Sequence, residues 1–118
     1  MIDFEKIVKD SVNKIPEKFR VILDKENIKL LAREKVPDAL KNKFENNLIF
    51  GVFIGVPYNK RSIFILQQEP TRIELYKESF EKVFKEQGDM ENQIVKTVVH
   101  EIGHYFGFSE EELRQYSL

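Results

Sequence analysis

No cysteine occurs among the 118 residues. Disulfides and thiolate ligands are therefore excluded, and any bound metal has to be held by His, Asp or Glu. The absence also fits a reducing compartment. No stretch approaches the ~20 consecutive apolar residues of a membrane span. The opening MIDFEKIVKD alternates charged with apolar residues and lacks the apolar run of a signal peptide. Together these point to a cytoplasmic protein with no membrane partner. An excess of one charge is missing too: 19 basic residues against 20 acidic leave a formal net charge of -1, which gives no electrostatic footprint for nucleic acid. The short basic pieces Lys41-Asn42-Lys43 and Lys60-Arg61 read as solvated loop charges. No repeat or low-complexity segment is visible. Histidine is scarce, with two copies in the whole chain.

What is present suits one globular domain over residues 1–118. Hydrophobic residues make up 42% and charged residues 33%, a balance that supplies both a core and a solvated surface. Phe4, Ile7, Val8 and Val12 recur at helical spacing, which predicts a first amphipathic helix over 3–13. Pro16 suits the first turn of a second helix carrying Phe19, Ile22 and Leu23. Residues 28–32 read as a short strand and 37–44 as a short helix. Residues 48–56 and 62–66, separated by Pro57-Tyr58-Asn59-Lys60-Arg61, read as a hairpin with a long loop. Residues 72–76 alternate, with Ile73 and Leu75 on one face, as a strand does. Phe80, Val83 and Phe84 suit a helix ending near Gln87-Gly88-Asp89, and a further helix is expected from about Met90 to Phe106. Gly107 is a natural C-terminal stop. Ser109 to Glu112 matches a capping box that starts a last short helix. Helices, then strands, then helices predict an α+β fold, a short mixed or antiparallel sheet packed on helices.

Both histidines lie in the penultimate helix, as His100-Glu101-Ile102-Gly103-His104. Successive helical residues turn by about 100°, so His100 and His104 stand about 40° apart on one face. The same turn puts Ile94, Val95, Val98, Val99, Ile102 and Phe106 in one apolar arc and leaves the histidines outside it, beside Gln93 and Thr97. Two core histidines are thereby disfavoured. Two imidazoles one turn apart reach a single zinc ion, and the intervening glutamate flanks the metal where it can touch a bound water rather than the ion. Zinc brings such a water's pKa to around 7, and Glu101 would take its proton and deliver it to the leaving amine. The longer pattern H-E-x-x-H-x-x-G-x-x-H is met at His100, Glu101, His104 and Gly107, with Glu110 at position eleven. Glu110 has two readings: third metal ligand, or an acid in a first helical turn favoured by the helix dipole. Glu111 or a water are the other candidates for the third ligand. No methionine follows the motif, as a metzincin Met-turn would require.

The run HEIGHYFGFSEEEL resembles the signature of the minimal zincins, short bacterial metallopeptidase-like proteins. The likeness extends to the wider order: two helices, a short strand, the GVFIGVPYNKRS region, then PTRIELYKESF leading to the motif helix. It implies a small zincin-like fold, one Zn²⁺ per chain, His100 and His104 as ligands, Glu101 as catalytic acid/base and Glu110 as third ligand. The family usually places Asp at that last position, one methylene shorter. It also implies a peptide or protein substrate. Zincins pair extended substrate with an edge strand above the cleft, and Arg72, Ile73, Glu74, Leu75 and Tyr76 are the candidates here. Tyr76 and Tyr105 are further candidates to stabilise an oxyanion, although aromatics of that size more often serve packing. Two functions follow: a zinc-dependent metallopeptidase, or a non-catalytic zinc-binding or protein-interaction domain that retains the site. The glutamate after the first histidine favours the first, since a structural zinc site needs no general base and is closed by four protein ligands.

Overall fold

A computed structural model describes residues 3–43, 48–55 and 71–115 of the chain. Helix α1 covers Phe4–Ser11 and is capped by Asp3, whose carboxylate accepts from the Lys6 backbone N–H. A 3-10 turn, Val12–Lys14, follows. Helix α2 spans Glu17–Lys25. Pro16 stands one residue before that helix rather than within it. Proline's fixed φ suits that place, and its carbonyl accepts from the Phe19 and Arg20 N–H groups. Strand β1 (Lys29–Arg33), helix α3 (Asp38–Lys43), strand β2 (Gly51–Ile54) and strand β3 (Arg72–Tyr76) follow. The chain closes with α4 (Lys77–Val83), α5 (Gln87–Phe106) and α6 (Glu110–Arg114).

The sheet is mixed, in the order β1-β3-β2. Strand β3 runs parallel to β1, with Leu31 opposite Glu74, and antiparallel to β2, with Val52 opposite Glu74. The hairpin expectation is only partly testable, because its second strand, 62–66, and the loop at 57–61 lie outside the described residues. Its first strand is shorter than expected, four residues within 48–56.

Helix α5 organises the core. Its apolar arc is shut away from solvent: Ile94, Val95, Val98 and Ile102 are fully buried and Val99 nearly so, while Phe106 packs against the cluster from its margin. Helix α1, the 3-10 turn, β2 and β3 all press on α5. They contribute Phe4, Ile7 and Val8 from α1 and Ile73 and Leu75 from β3. Burying each such side chain contributes about 1.5–3 kcal/mol before the cost of ordering it. Helix α5 begins three residues earlier than its sequence suggests. Gln87-Gly88-Asp89, read as a break, forms its first turn, and α4 instead ends at the extended Phe84. The first N–H groups of any helix lack partners within it, so glycine is tolerated there and an acid such as Asp89 is favoured.

Candidate metal centre

The last turn of α5 and the start of α6 build the site. Gly107 takes the left-handed conformation at φ 78°, and its N–H bonds back to the His104 carbonyl. Phe108 N–H then reaches the Gly103 carbonyl at 2.8 Å. The turn is locked from above by Leu113, fully buried against Gly103, where an added Cβ would collide with the leucine side chain. Ser109 caps α6 in a complete capping box with Glu112. The first residue after the cap, Glu110, is thereby carried back to α5. His104 Nε2 donates to Glu110 Oε1 at 3.1 Å, and that hydrogen bond holds the Glu110 carboxyl below its usual range. Position eleven of the motif therefore does face the second histidine.

His100 is oriented from the other direction. Its Nδ1 lies 2.9 Å from the Lys96 carbonyl one turn earlier. A carbonyl only accepts, so Nδ1 carries the proton and Nε2 is the lone-pair nitrogen of the neutral ring. The two imidazole centroids are 6.2 Å apart, with planes at 78°. Both rings open onto one cleft of about 410 Å³, lined on the helix side by Gln93, Lys96, Thr97, His100, Glu101 and His104. The opposite wall is Leu40 from α3 and the run Leu48 to Val52 entering β2. Gln93 and Thr97, placed beside the histidines by the helical turn, are there and bond to each other at 3.2 Å.

Glu101 is half-buried and lines the cleft. It has no hydrogen-bond or ion-pair partner among the described residues. Burial pushes its carboxyl up, and the nearby His104 and His100 offset that only in part.

The strand expected to bind substrate is not at this site. Arg72, Ile73, Glu74, Leu75 and Tyr76 form β3, the central strand, and both of its main-chain edges already pair, one with β1 and one with β2. No backbone edge is left for a peptide, so the edge-strand assignment at 72–76 is corrected. Ile73, Leu75 and Tyr76 are fully buried. The Tyr76 hydroxyl donates to Glu74 Oε1 at 3.2 Å, which removes it as an oxyanion donor. Tyr105 stacks on Phe53, with centroids 4.2 Å apart. The strand that does line the cleft is β2. Gly51 is what lets it lie so close to α5: a Cβ there would stand 2.8 Å from the Glu74 carbonyl and 3.1 Å from Thr97 Cγ2. A glycine entering an apolar strand was the only sequence signal for that approach.

Among the described residues, no three His, Asp or Glu side chains close on one point as a bound metal would draw them. The donor chemistry nevertheless fits zinc. Two imidazoles line one cleft, and the proton shared by His104 and Glu110 joins two groups that both ligate zinc once deprotonated.

A mixed sheet packed on a helix that carries H-E-x-x-H beside an open cleft defines the zincin class. The family of zincin-like metallopeptidases matches residues 25–117, and the chain belongs to it. Membership gives the chain a metallopeptidase-type function. No curated protein matches the chain. No helix among the described residues is long and apolar enough to cross a membrane.

Proposed function

We propose that the protein is a zinc-dependent peptidase that holds one Zn²⁺ per chain through His100, His104 and Glu110 and hydrolyses peptide bonds with Glu101 as general acid/base. The observation that carries this reading is the shared cleft, onto which both imidazoles and Glu101 open, with Glu110 hydrogen-bonded to the second imidazole. Zinc, when bound, supplies the Lewis acidity that makes a water acidic near neutral pH and polarises a carbonyl.

The chain's own residues do the positioning and move the proton. The Lys96 carbonyl fixes the His100 tautomer and ring orientation, as outer partners of metal-binding histidines do. Glu101, with no cationic hydrogen-bond donor among the described residues, keeps the basicity needed to take a proton from water and return it to the leaving amine. Extended substrate lies along β2. Gly51 and Val52 of that strand line the cleft. Main-chain pairing there gives sequence-tolerant binding.

The test is metal content and hydrolysis together. Purified protein should carry about one zinc per chain and cleave members of a broad peptide mixture, His104→Ala should lose the metal, and Glu101→Gln should keep it while losing about 10²–10⁴-fold in rate. Stoichiometric zinc in the His104→Ala protein refutes the ligand set. Zinc with no cleavage of any peptide by wild type turns the reading to a non-catalytic zinc-binding domain.

A further inference from the structure

The cleft has two unlike walls, and each carries a feature that the metal ligands do not explain. One is aliphatic: Leu40, Leu48, Ile49 and Val52. Leu48 is 45% exposed, one of three large apolar side chains left so open among the described residues, and it is the one that borders the cleft. The other wall carries a lysine. Lys96 is exposed and lines the cleft one helical turn before His100. Its helical neighbours at three and four residues are Asn92, Gln93, Val99 and His100, none of them acidic. Among the described residues, Lys96 has no carboxylate partner and no other lysine lines this cleft. The acid that shares its cleft, Glu101, is the one the proposed chemistry needs.

We propose that Lys96 and the aliphatic wall select peptides in which an aliphatic side chain is accompanied by a carboxylate about two residues from the bond cut, an inference that rests on the peptidase reading above. The spacing follows from the helix. Lys96 precedes His100 by four residues, about 6 Å along the axis, which about two residues of extended peptide span. An aliphatic side chain against Leu48 and Val52 excludes water from the groove, and a less watery groove strengthens the attraction between the ammonium and a substrate carboxylate. The carboxylate comes either from an Asp or Glu side chain or from the peptide's C-terminus. The helical turn that orients the first histidine through its backbone thus also reads the substrate through its side chain.

The experiment gives zinc-loaded wild type, Lys96→Ala and Lys96→Glu a set of leucine-containing peptides with Glu or Gln at one to three residues on either side, each with a free or an amidated C-terminus. Products are followed by mass spectrometry. Wild type should show kcat/KM about fivefold higher for the carboxylate-bearing peptide than for its neutral twin, the ratio falling to about one in Lys96→Ala and inverting in Lys96→Glu. A preference for Glu over Gln places the carboxylate on a side chain, and a preference lost on amidation places it at the C-terminus. Equal cleavage of charged and neutral twins by wild type overturns the inference. Fluorescence anisotropy of the same peptides on the Glu101→Gln protein separates the two readings. Carboxylate-dependent binding with no turnover by wild type sinks the peptidase and leaves the selectivity standing, whereas binding indifferent to the carboxylate, or no binding, sinks the selectivity.

Discussion

Two glutamates on different sides of the core meet opposite surroundings. Glu74, on the central strand, is 6% exposed, yet its carboxylate accepts from Arg33 at 3.2 and 3.3 Å, from Arg72 at 2.9 Å and from the Tyr76 hydroxyl at 3.2 Å. Burial pushes its carboxyl up, but the two guanidinium groups outweigh burial and hold it below the usual range. Glu101 is less buried and has no such donors among the described residues, so burial prevails and its carboxyl is pushed up. A buried charge answered on every side has no proton to exchange at neutral pH and ties strands together. One left unanswered beside an open groove is able to move a proton. The difference separates the carboxylate that holds the sheet from the one proposed to do chemistry.

Neutralising each in turn gives the largest test of that division. Glu74→Gln removes the negative charge that Arg33 and Arg72 share inside the sheet. Breaking a buried pair by removing one partner costs about 3–5 kcal/mol, and Arg33, half exposed, brings the expected loss down to about 2–3 kcal/mol. Glu101→Gln replaces a poorly solvated carboxylate with a neutral isostere and should leave stability within about 0.5 kcal/mol of wild type. Urea denaturation of the metal-free proteins measures both. Equal losses from the two substitutions would dissolve the distinction.

The two sites were unequally legible in the sequence. Everything set by the turn of one helix could be read: the buried arc from Ile94 to Ile102, the histidine face with Gln93 and Thr97, the stop at Gly107 and the capping box at Ser109. Those features depend on residues within a few positions of each other, so spacing alone determines them. Glu74 was read as part of a substrate-binding edge strand because alternation shows which face of a strand is apolar and says nothing of which edges are paired. Its arginine partner on β1 lies 41 residues away, and its burial follows from the strand order β1-β3-β2, which no local pattern encodes. The aliphatic wall of the cleft was hidden for the same reason. Leu40 and Leu48 belong to different segments that meet only when β2 packs on α5.

Acid should sharpen the contrast from the Glu74 side. Its folded carboxyl lies below its ordinary 4.5, so as acid is added the unfolded chain takes up that proton first. The group's stabilisation is therefore complete above the unfolded value and is lost as pH falls through the lower folded value. The gap in unfolding free energy between wild type and Glu74→Gln should hold steady from about pH 7 to about pH 5 and narrow below about pH 4.5. Urea midpoints of both proteins across that range provide the measurement. A gap that persists undiminished to about pH 3 would show that the carboxylate's charge is not what the arginines recognise.

The smallest expected effect falls on the hydroxyl that completes the Glu74 network. Tyr76 is fully buried, and burial, then the neighbouring Glu74 charge, hold its phenol well above the usual value. It is therefore a permanent donor to Glu74 Oε1 across the neutral range. Tyr76→Phe keeps the ring and its packing while deleting one donor, which should cost about 1 kcal/mol because the carboxylate keeps its two guanidinium partners. In the Glu74→Gln background the same deletion should cost less, since the acceptor is no longer charged and charged acceptors form the stronger bonds. A double-mutant cycle from urea denaturation resolves that coupling. Additive losses would mean that the hydroxyl contributes by packing alone, and Glu74 would then be held by its arginines without help from β3's own tyrosine.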